Sequence, residues 1–162
     1  METLTIRIAR PNDFEQILTI NTEGYPGVSP LILAELNLVR ELSPYFGVAE
    51  HASQVVGYII TYRADQEYDG DEFNWFKQNF SDFLYIDQIA IAASARRLQV
   101  GTQLYRHIEQ VAQELELTSL VCEVNLEPPN PMSLSFHSRQ GFGEVGTMAT
   151  QDGRRVSLRR KL

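Results

Sequence analysis

The feature of this sequence that most limits its fold is the stretch 83–115, which joins a strand pattern to a helix pattern through a turn. Residues 83–91 are rich in β-branched and aromatic side chains and almost free of charge, which is typical of a strand inside a sheet. Residues 104–115 carry apolar side chains at helical spacing. These are Leu104, Ile108, Val111, Ala112 and Leu115. A strand that leads into an amphipathic helix predicts an α/β chain.

The turn between them, residues 96–102, combines two arginines with a single glycine. A helix N-terminus offers free N–H groups and a partial positive charge, so this turn predicts an anion site. No Gly-Lys-Ser/Thr ends the turn, which excludes the P-loop, and one glycine is too few for the dinucleotide fingerprint. The alternative is an ordinary strand-to-helix turn with solvated arginines.

Length and composition bound the class of protein. The 162 residues predict one domain over residues 1–162 that needs no disulfide or metal to fold. The 14 Lys and Arg against 21 Asp and Glu give a net charge of −7, which argues against general binding to nucleic acid or anionic membranes. The one cysteine, Cys122, lies in an apolar run and is predicted to be a core residue. With no long apolar run and no signal peptide, the sequence predicts a cytoplasmic protein.

The remaining patterns predict strand, two helices, three strands, helix, strand, helix and two strands. The second helix is predicted to begin at Ser29-Pro30, a cap followed by a first-turn proline, and to run to about Leu42. The last helix is predicted to be capped by Asn130 and stopped by Gly141. Strands are predicted near residues 4–8, 46–49, 55–62, 83–91, 120–124, 142–150 and 155–162.

Two motifs resemble the GNAT superfamily of N-acetyltransferases. Arg96-x-x-x-x-Gly101 is similar to the superfamily's pyrophosphate loop, Gln/Arg-x-x-Gly-x-Gly/Ala, with Gln99 in place of the middle glycine. Asn130-x-x-Ser133-x-x-Phe136-His137-x-x-x-Gly141-Phe142 is similar to Asn-x-x-Ala/Ser-x-x-Leu/Phe-Tyr-x-x-x-Gly-Phe, with His137 in place of the tyrosine. The motifs follow each other in the GNAT order, so the resemblance extends over nearly the whole chain.

The resemblance implies a layered α/β (α+β) fold, the GNAT acyl-CoA N-acyltransferase fold. Its mixed, mostly antiparallel sheet has about seven strands flanked by about four helices. It also implies acetyl-CoA as co-substrate, with the pyrophosphate on the N–H groups of residues 98–102 and the pantetheine arm paired with the central strand. The residues implied to bind the donor are Ile89, Ala90, Ile91, Arg96, Arg97, Leu98, Gln99, Val100, Gly101, Thr102, Asn130, Ser133 and Phe136.

Three side chains are implied to act in proton transfer. His137 takes the place of the tyrosine that protonates the leaving sulfur in many family members, and the helix C-terminus is expected to favour its imidazolium form. A capping or packing histidine is the alternative. Tyr85 and Asp87 share one strand face, where family members often carry a base. Asp87 could take a proton from the amine if burial raises its pKa, or merely bind the amine's charge or pair with an arginine.

Residues 65–82 mix acidic and aromatic side chains. They form either a connecting helix that packs on the sheet or a wall of an acceptor site for a cationic amine, and the two interpretations are compatible. The acidic residues are Asp65, Glu67, Asp69, Asp71 and Glu72, and the aromatic ones are Tyr68, Phe73, Trp75, Phe76 and Phe80.

The predicted function is acetyl transfer from acetyl-CoA to a primary amine of a small molecule by direct attack in a ternary complex. No nucleophile pattern is visible, and the three histidines share no metal-ligand spacing, so neither a covalent intermediate nor a metal is expected. A non-catalytic acyl-CoA sensor and a protein N-terminal or lysine acetyltransferase are the alternatives. Homodimers are common in the superfamily, but nothing in this sequence decides the oligomeric state.

Overall fold

The computed structural model describes residues 3–162, and in that part of the chain a seven-stranded sheet is covered by five α-helices. The strands are β1 (Thr5–Ile8), β2 (Phe46–His51), β3 (Gln54–Arg63), β4 (Leu84–Ile91), β5 (Leu120–Glu127), β6 (Gly143–Ala149) and β7 (Arg155–Lys161). The helices are α1 (Phe14–Gly24), α2 (Leu33–Leu42), α3 (Asp71–Asn79), α4 (Val100–Glu114) and α5 (Pro131–Arg139). Single 3₁₀ turns precede α1 (Pro11–Asp13) and α4 (Ala93–Leu98).

The sheet has the strand order β1-β2-β3-β4-β5-β7-β6, and only the pairing of β4 with β5 is parallel. This confirms the predicted mixed, mostly antiparallel sheet of about seven strands. Helix α4 crosses from the end of β4 to the start of β5, as a parallel connection requires. The apolar side of α4 is buried as predicted, including Leu104 and Ile108.

The two central strands separate soon after they begin. Leu84 pairs with Leu120 and Tyr85 with Val121, and in the described residues the β4–β5 ladder ends there. Both strands continue for several residues, to Ile91 and Glu127. From Asp87 onward, therefore, the backbone of β4 is paired with β3 alone, and the sheet opens into a cleft between its two halves.

A bulge in β4 marks the start of this opening. Ile86 pairs with Thr61 and Gln88 with Ile60, so Asp87 is the extra residue between them. A bulge kinks the strand locally and re-aims the side chain of its extra residue. Asp87 is thus placed at the point where β4 leaves β5.

Two elements differ from the sequence prediction. Helix α2 begins at Leu33 instead of next to Ser29-Pro30, because hydrogen bonds hold the preceding segment extended against the sheet. The Ser29 carbonyl accepts from the side-chain amides of Asn21 and Gln88, at 2.9 and 3.0 Å, and the Leu31 N–H donates to Asn21. Helix α3 lies between β3 and β4, so the connecting helix considered for residues 65–82 is present, although the predicted element order had consecutive strands there.

Helix α3 confirms that the acidic, aromatic segment packs on the sheet. Phe73 and Phe76 are fully buried and contact the Tyr85 ring, at centroid distances of 5.5 and 6.0 Å. Cys122 is also buried, as predicted. Within residues 3–162, no helix has the length and apolar composition needed to cross a membrane.

Candidate active site

The cleft between β4 and β5 contains a cavity of about 650 Å³, here called the donor cleft. Its walls are the end of β4, the turn before α4, the inner side of α5 and residues 23–28 of the α1–α2 connection. The donor-binding residues predicted from the sequence line this cleft, with the exception of Arg97 and Leu98. The lining residues among them are Ile89, Ala90, Ile91, Arg96, Gln99, Val100, Gly101, Thr102, Asn130, Ser133 and Phe136.

Arg97 and Leu98 lie in the 3₁₀ turn before α4 and are exposed to solvent outside the cleft wall. The structure therefore brings one of the two arginines, Arg96, to the donor cleft. A further cation that the sequence reasoning missed, Arg139 in the last turn of α5, also lines it. The sequence feature that could have indicated Arg139 is its position two residues after His137 in the second motif.

The backbone at Gln99 explains the departure from the GNAT loop pattern. Gln99 caps α4 with φ +56° and ψ +36°, in the left-handed region that glycine adopts without steric cost. The position thus has the backbone conformation that a glycine would supply. The exposed Gln99 residue adopts it nonetheless, so the turn keeps a path that leads the α4 N-terminus to the cleft.

Gly101 lies at a close contact between two helices, where an added side chain would force the Phe136 ring to move. A Cβ atom at this position would lie 2.9 Å from the Cζ atom of Phe136 on α5. The Gln140 side-chain amide also donates to the Thr102 hydroxyl at 3.2 Å, which ties the end of α5 to the first turn of α4. Asn130 caps α5 as predicted, because its side chain accepts from the Ser133 N–H at 3.3 Å.

His137 forms a buried pair with Tyr105, which the sequence reasoning missed. The Nε2 atom of His137 lies 2.6 Å from the Tyr105 hydroxyl, and Nδ1 lies 2.8 Å from the Ser133 carbonyl oxygen. Because a carbonyl only accepts, we assign the proton to Nδ1, and Nε2 then accepts from the Tyr105 O–H. The sequence analysis included Tyr105 only within the amphipathic helix. A tyrosine hydroxyl on a buried helix face usually has a hydrogen-bond partner, and this feature could have indicated the pair.

The expectation that His137 is an imidazolium is wrong. Burial lowers its pKa below the ordinary value, and the charge of Arg159 acts in the same direction, so the neutral ring dominates at pH 7. The last turn of a helix would favour a cation, but desolvation outweighs it at this depth, where the residue is only 5% exposed. His137 is therefore a neutral ring that shares a hydrogen bond with a phenol.

A second cavity of about 210 Å³ adjoins the donor cleft, and we call it the acceptor cavity. Asp87 on β4 and Glu123 on β5 line it from the two sides of the sheet opening. Tyr62, Tyr68 and Glu72 complete the wall, so the acidic, aromatic segment contributes to this cavity as well as to the core. The cavity and the cleft share several lining residues, including Ile89, Asn125, Ser133 and His137.

Asp87 and Tyr85, predicted as neighbours, are engaged with different partners. Asp87 accepts a hydrogen bond from the Tyr68 hydroxyl at 2.8 Å. Burial raises its pKa to about 6, against the opposing effect of that hydrogen bond, and the charges of Glu72 and Glu35 act in the same direction as burial. Tyr85 donates to both carboxylate oxygens of Glu123, at 2.9 and 2.8 Å.

Glu123 is a site residue that the sequence reasoning missed. Burial raises its pKa well above the ordinary value, and the charges of Glu72 and Asp87 add to this effect. Its signal was a carboxylate in the middle of the apolar run of β5, where an acidic residue is uncommon without a partner. In the described chain neither Asp87 nor Glu123 forms an ion pair.

Arg154 is the only Lys or Arg among residues 3–162 that lines the acceptor cavity, and its donors are occupied. Its three nitrogens donate to Glu72 at 2.8 Å, to Asn125 at 3.0 Å and to Asp152 at 2.9 Å. The neighbouring Gln151 N–H donates to Asp71 at 2.8 Å. These bonds fasten the β6–β7 turn to the N-terminus of α3 and close that side of the cavity.

Comparison with known proteins identifies the family. Residues 14–142 match the model of the acetyltransferase (GNAT) family. The fold is similar to Ard1 from Thermoplasma volcanium, with TM-score 0.79, 20% identity, and 98% of this chain and 96% of that chain covered. It is also similar to the ribosomal-protein-S18-alanine N-acetyltransferase from Escherichia coli, with TM-score 0.73, 15% identity and coverage of 98% and 93%.

A third structure is Arabidopsis thaliana Naa50 in complex with the bisubstrate analogue CoA-Ac-MVNAL, with TM-score 0.74, 15% identity and 98% of both chains covered. Comparison with curated proteins finds no match. In the described range 3–162, no three His, Cys, Asp or Glu side chains are grouped as metal ligands. The match to the family model extends over most of the chain, and the sheet, the turn before α4 and the cleft agree with it. The protein therefore belongs to the GNAT family of acetyltransferases.

Proposed function

We propose that this protein is an N-acetyltransferase that moves the acetyl group of acetyl-CoA to a primary amine of a small molecule. The observation that carries the proposal is the junction of the two cavities. A cleft suited to an extended, diphosphate-bearing donor meets an acidic cavity at His137, whose ring is hydrogen bonded to the Tyr105 hydroxyl. A thioester held in the cleft and an amine held in the cavity would meet at this point.

The donor cleft offers an unpaired strand edge for the extended arm of the donor and a positive charge for its diphosphate. The unpaired edge of β4 at residues 89–91 can accept an extended arm in the way that a sheet accepts another strand. At the other end, the α4 N-terminus and Arg96 provide N–H donors and a full positive charge for the diphosphate. Family membership supports acetyl-CoA as the co-substrate.

The acceptor cavity offers carboxylates that can bind an ammonium and take up its proton. An alkylammonium must lose a proton before its nitrogen can attack the thioester carbon. Asp87 and Glu123 both face the cavity with pKa values raised by burial, which makes each a stronger base than an exposed carboxylate. Glu123 and Tyr105 both line this cavity.

The Tyr105–His137 pair can supply the proton that the departing sulfur needs. When the nitrogen bonds to the carbonyl carbon and the carbon–sulfur bond breaks, the thiolate takes the proton that Tyr105 and His137 share. The proton lost by the amine passes to a carboxylate of the cavity, and solvent restores the pair. His137 thus acts through its neutral ring and a neighbouring phenol, not as an imidazolium.

The size and closure of the acceptor cavity support a small molecule as acceptor. Its volume of about 210 Å³ lies below the roughly 300–1,000 Å³ of drug-sized sites. The β6–β7 turn is fastened to α3 on one side, and Asn21 and Gln88 fix the α1–α2 connection on the other. A cytoplasmic location belongs to the proposal, since a buried free thiol and an ordinary globular composition suit a reducing compartment.

Thiol release tests this proposal against its two alternatives. Purified protein is mixed with acetyl-CoA and either a set of small primary amines or a short peptide with a free N-terminus, and free thiol and acetylated product are measured. We expect release with small amines and little with the peptide. Release with the peptide alone would identify a protein N-terminal acetyltransferase, and binding of coenzyme A without any release would identify a sensor.

Substitution of the proton-supplying pair tests the mechanism. His137→Phe and Tyr105→Phe should each lower kcat by roughly 10²-fold while leaving the Kd for acetyl-CoA within a fewfold of the original. Because the pair acts as a unit, the double variant should lose little more than either single one. Unchanged turnover in both single variants across the pH range would remove the pair from the mechanism.

A further inference from the structure

The acceptor cavity is lined by more carboxylates than the cations among its described residues pair with. Asp87 and Glu123 accept hydrogen bonds from the neutral phenols of Tyr68 and Tyr85, and in residues 3–162 no cation pairs with either. Glu72 is balanced by Arg154. Asp87 and Glu123 thus stand on opposite sides of one small cavity without a counter-charge, and the exposed Glu35, which also lines the cavity, forms no ion pair in the described residues either.

One carboxylate is enough for the attacking amine, so the second requires a separate explanation. Burying a charged carboxylate without a cation costs several kcal/mol, and either protonation of the carboxylate or a bound cation offsets that cost. A core position is not the explanation, because Asp87 and Glu123 line a cavity that opens into the donor cleft. The cavity, its continuity with that cleft and its two opposed carboxylates without ion pairs in the described chain point together to a ligand with two positive groups.

Anionic acceptors lack a partner in this cavity. Arg154 is the lining cation, and its donors already serve Glu72, Asn125 and Asp152. A free amino acid or an acidic sugar would place its carboxylate near Asp87 and Glu123 with no guanidinium or ammonium to receive it. The charge of the cavity therefore selects against zwitterions as well as for cations.

The two carboxylates have different surroundings. Glu123 accepts from Tyr85 and lines the cavity together with Tyr105 and His137. Asp87 is held by Tyr68, whose ring is stacked on Tyr62 at a centroid distance of 4.1 Å. Aromatic faces beside a carboxylate form a suitable site for an ammonium that stays charged.

From this arrangement we infer, building on the proposed function, that the acceptor is a short diamine or polyamine. Its attacking amine lies between Glu123 and the donor thioester, and its second ammonium is bound by Asp87 against the Tyr62 and Tyr68 rings. The second ammonium stays protonated through the reaction. The product is therefore a mono-acetylated diamine with one positive charge.

Three matched probes of equal chain length test the inference on the wild-type protein. They are 1,4-diaminobutane, 1-aminobutane and 4-aminobutanoic acid, which differ only in a terminal ammonium, methyl or carboxylate. We expect kcat/KM for the diamine to exceed that for the monoamine by roughly tenfold or more, beyond the twofold advantage of having two amines, and the amino acid to be the poorest acceptor.

The variant Asp87→Asn then tests which carboxylate holds the second ammonium. The ratio of kcat/KM for diamine over monoamine should fall to near its statistical value, and this ratio does not depend on how much of the variant is folded. Glu127→Gln, at the exposed end of the same strand as Glu123, is the control and should keep the ratio of the wild-type protein.

Each outcome separates this inference from the proposed function. Equal efficiencies for the three probes, or a preference for the amino acid, would overturn the diamine inference and leave the acetyltransferase in place. An unaltered ratio in Asp87→Asn would overturn the assignment of Asp87. No thiol release with any probe would also reject the diamine, and calorimetry with coenzyme A would then show separately whether the donor cleft binds its ligand.

Discussion

The donor cleft and the acceptor cavity meet at Ile89, Ser133 and His137 but are built from different parts of the chain. In the donor cleft, the unpaired edge of β4 and the N-terminus of α4 lie in one continuous stretch, and α5 and residues 23–28 complete the walls. The acceptor cavity is lined by residues from β3, β4, β5, all five helices or the segments next to them, and the β6–β7 turn. The β4–α4 part of the donor cleft therefore depends on local chain geometry, whereas the acceptor cavity depends on long-range packing.

This difference explains why the two sites respond to sequence change in different ways. A backbone site tolerates many side chains as long as the chain follows the same path, and the left-handed Gln99 shows that even a loop glycine can be replaced. A side-chain site changes its chemistry with each substitution. A family can therefore keep one donor while its members acquire different acceptors.

The largest effect is expected in the acceptor cavity, from Glu123→Gln. The amide keeps the shape and can still accept from Tyr85, but it cannot take up a proton. We expect kcat/KM for the amine to fall by roughly 10²-fold with the Kd for acetyl-CoA unchanged. Steady-state kinetics and calorimetry check this, with Glu127→Gln as control. Parallel losses in donor binding would show that the two sites are not independent.

The second effect is on stability, because the acceptor cavity holds a carboxylate that is costly to ionise. The folded protein raises the pKa of Asp87 from 3.8 to about 6, so above pH 4 the unfolded chain loses this proton first and stability falls as the pH rises through 6. Asp87→Asn should therefore raise the free energy of unfolding at pH 7.5 by roughly 1–3 kcal/mol.

Urea denaturation at two pH values measures that effect. The gain of Asp87→Asn over the wild-type protein should shrink by pH 4, where the folded carboxyl group is already protonated. A gain of equal size at both pH values would mean that the substitution acts through packing or hydrogen bonding and not through ionisation. The prediction also implies that Asp87 is kept for function at a cost in stability.

On the donor side, the two adjacent arginines provide a matched pair. Arg96 lines the donor cleft and Arg97 does not. Arg96→Ala should weaken coenzyme A binding by about tenfold through the lost charge on the diphosphate, and Arg97→Ala by much less. Calorimetry with coenzyme A and with acetyl-pantetheine checks this. Equal losses for both ligands would contradict a diphosphate contact at Arg96.

The smallest effect is expected at Gln99, where only the backbone is at issue. Gln99→Gly relieves the left-handed conformation and should raise the free energy of unfolding by roughly 0.5–1 kcal/mol without loss of coenzyme A binding. Gln103→Gly, on the exposed side of α4, should lower it by a similar amount. If both glycines destabilise the protein equally, the Gln99 backbone carries no strain.

The contrast between the two sites also shows what the sequence could predict. Periodicity located all seven strands, because alternating and continuous apolar runs are local signals. The turn at residues 96–102 could be predicted for the same reason, since the strand, the turn and the helix are consecutive in the sequence. The start of α2 was misplaced because distant side chains, Asn21 and Gln88, hold residues 29–32 extended, and local capping patterns contain no information about them.

The acceptor cavity was harder to predict because its residues meet only after folding. Asp87 was found through its place on the central strand, but its partner Tyr68 lies in another segment. Glu123 and Tyr105 were missed because they lie in an apolar strand run and an amphipathic helix, and the formation of the core accounts for both of these patterns without a site. The protonation of His137 was mispredicted because the sequence shows its place at the end of a helix but not how deeply it is buried. Burial lowers its pKa and depends on the packing of α4 against α5.

The early separation of β4 from β5 has a mechanical consequence. Two residue pairs join the β1–β4 half of the sheet to the β5–β7 half, and the rest of that seam is left for a ligand to occupy. A bound cofactor would contact both halves of the sheet and stabilise their packing. Resistance to heat and to proteases should therefore rise with the cofactor concentration, even in variants without acetyltransferase activity. Under the proposed function, the concentration of coenzyme A in the cell would therefore set the rigidity of this protein as well as its rate of acetyl transfer.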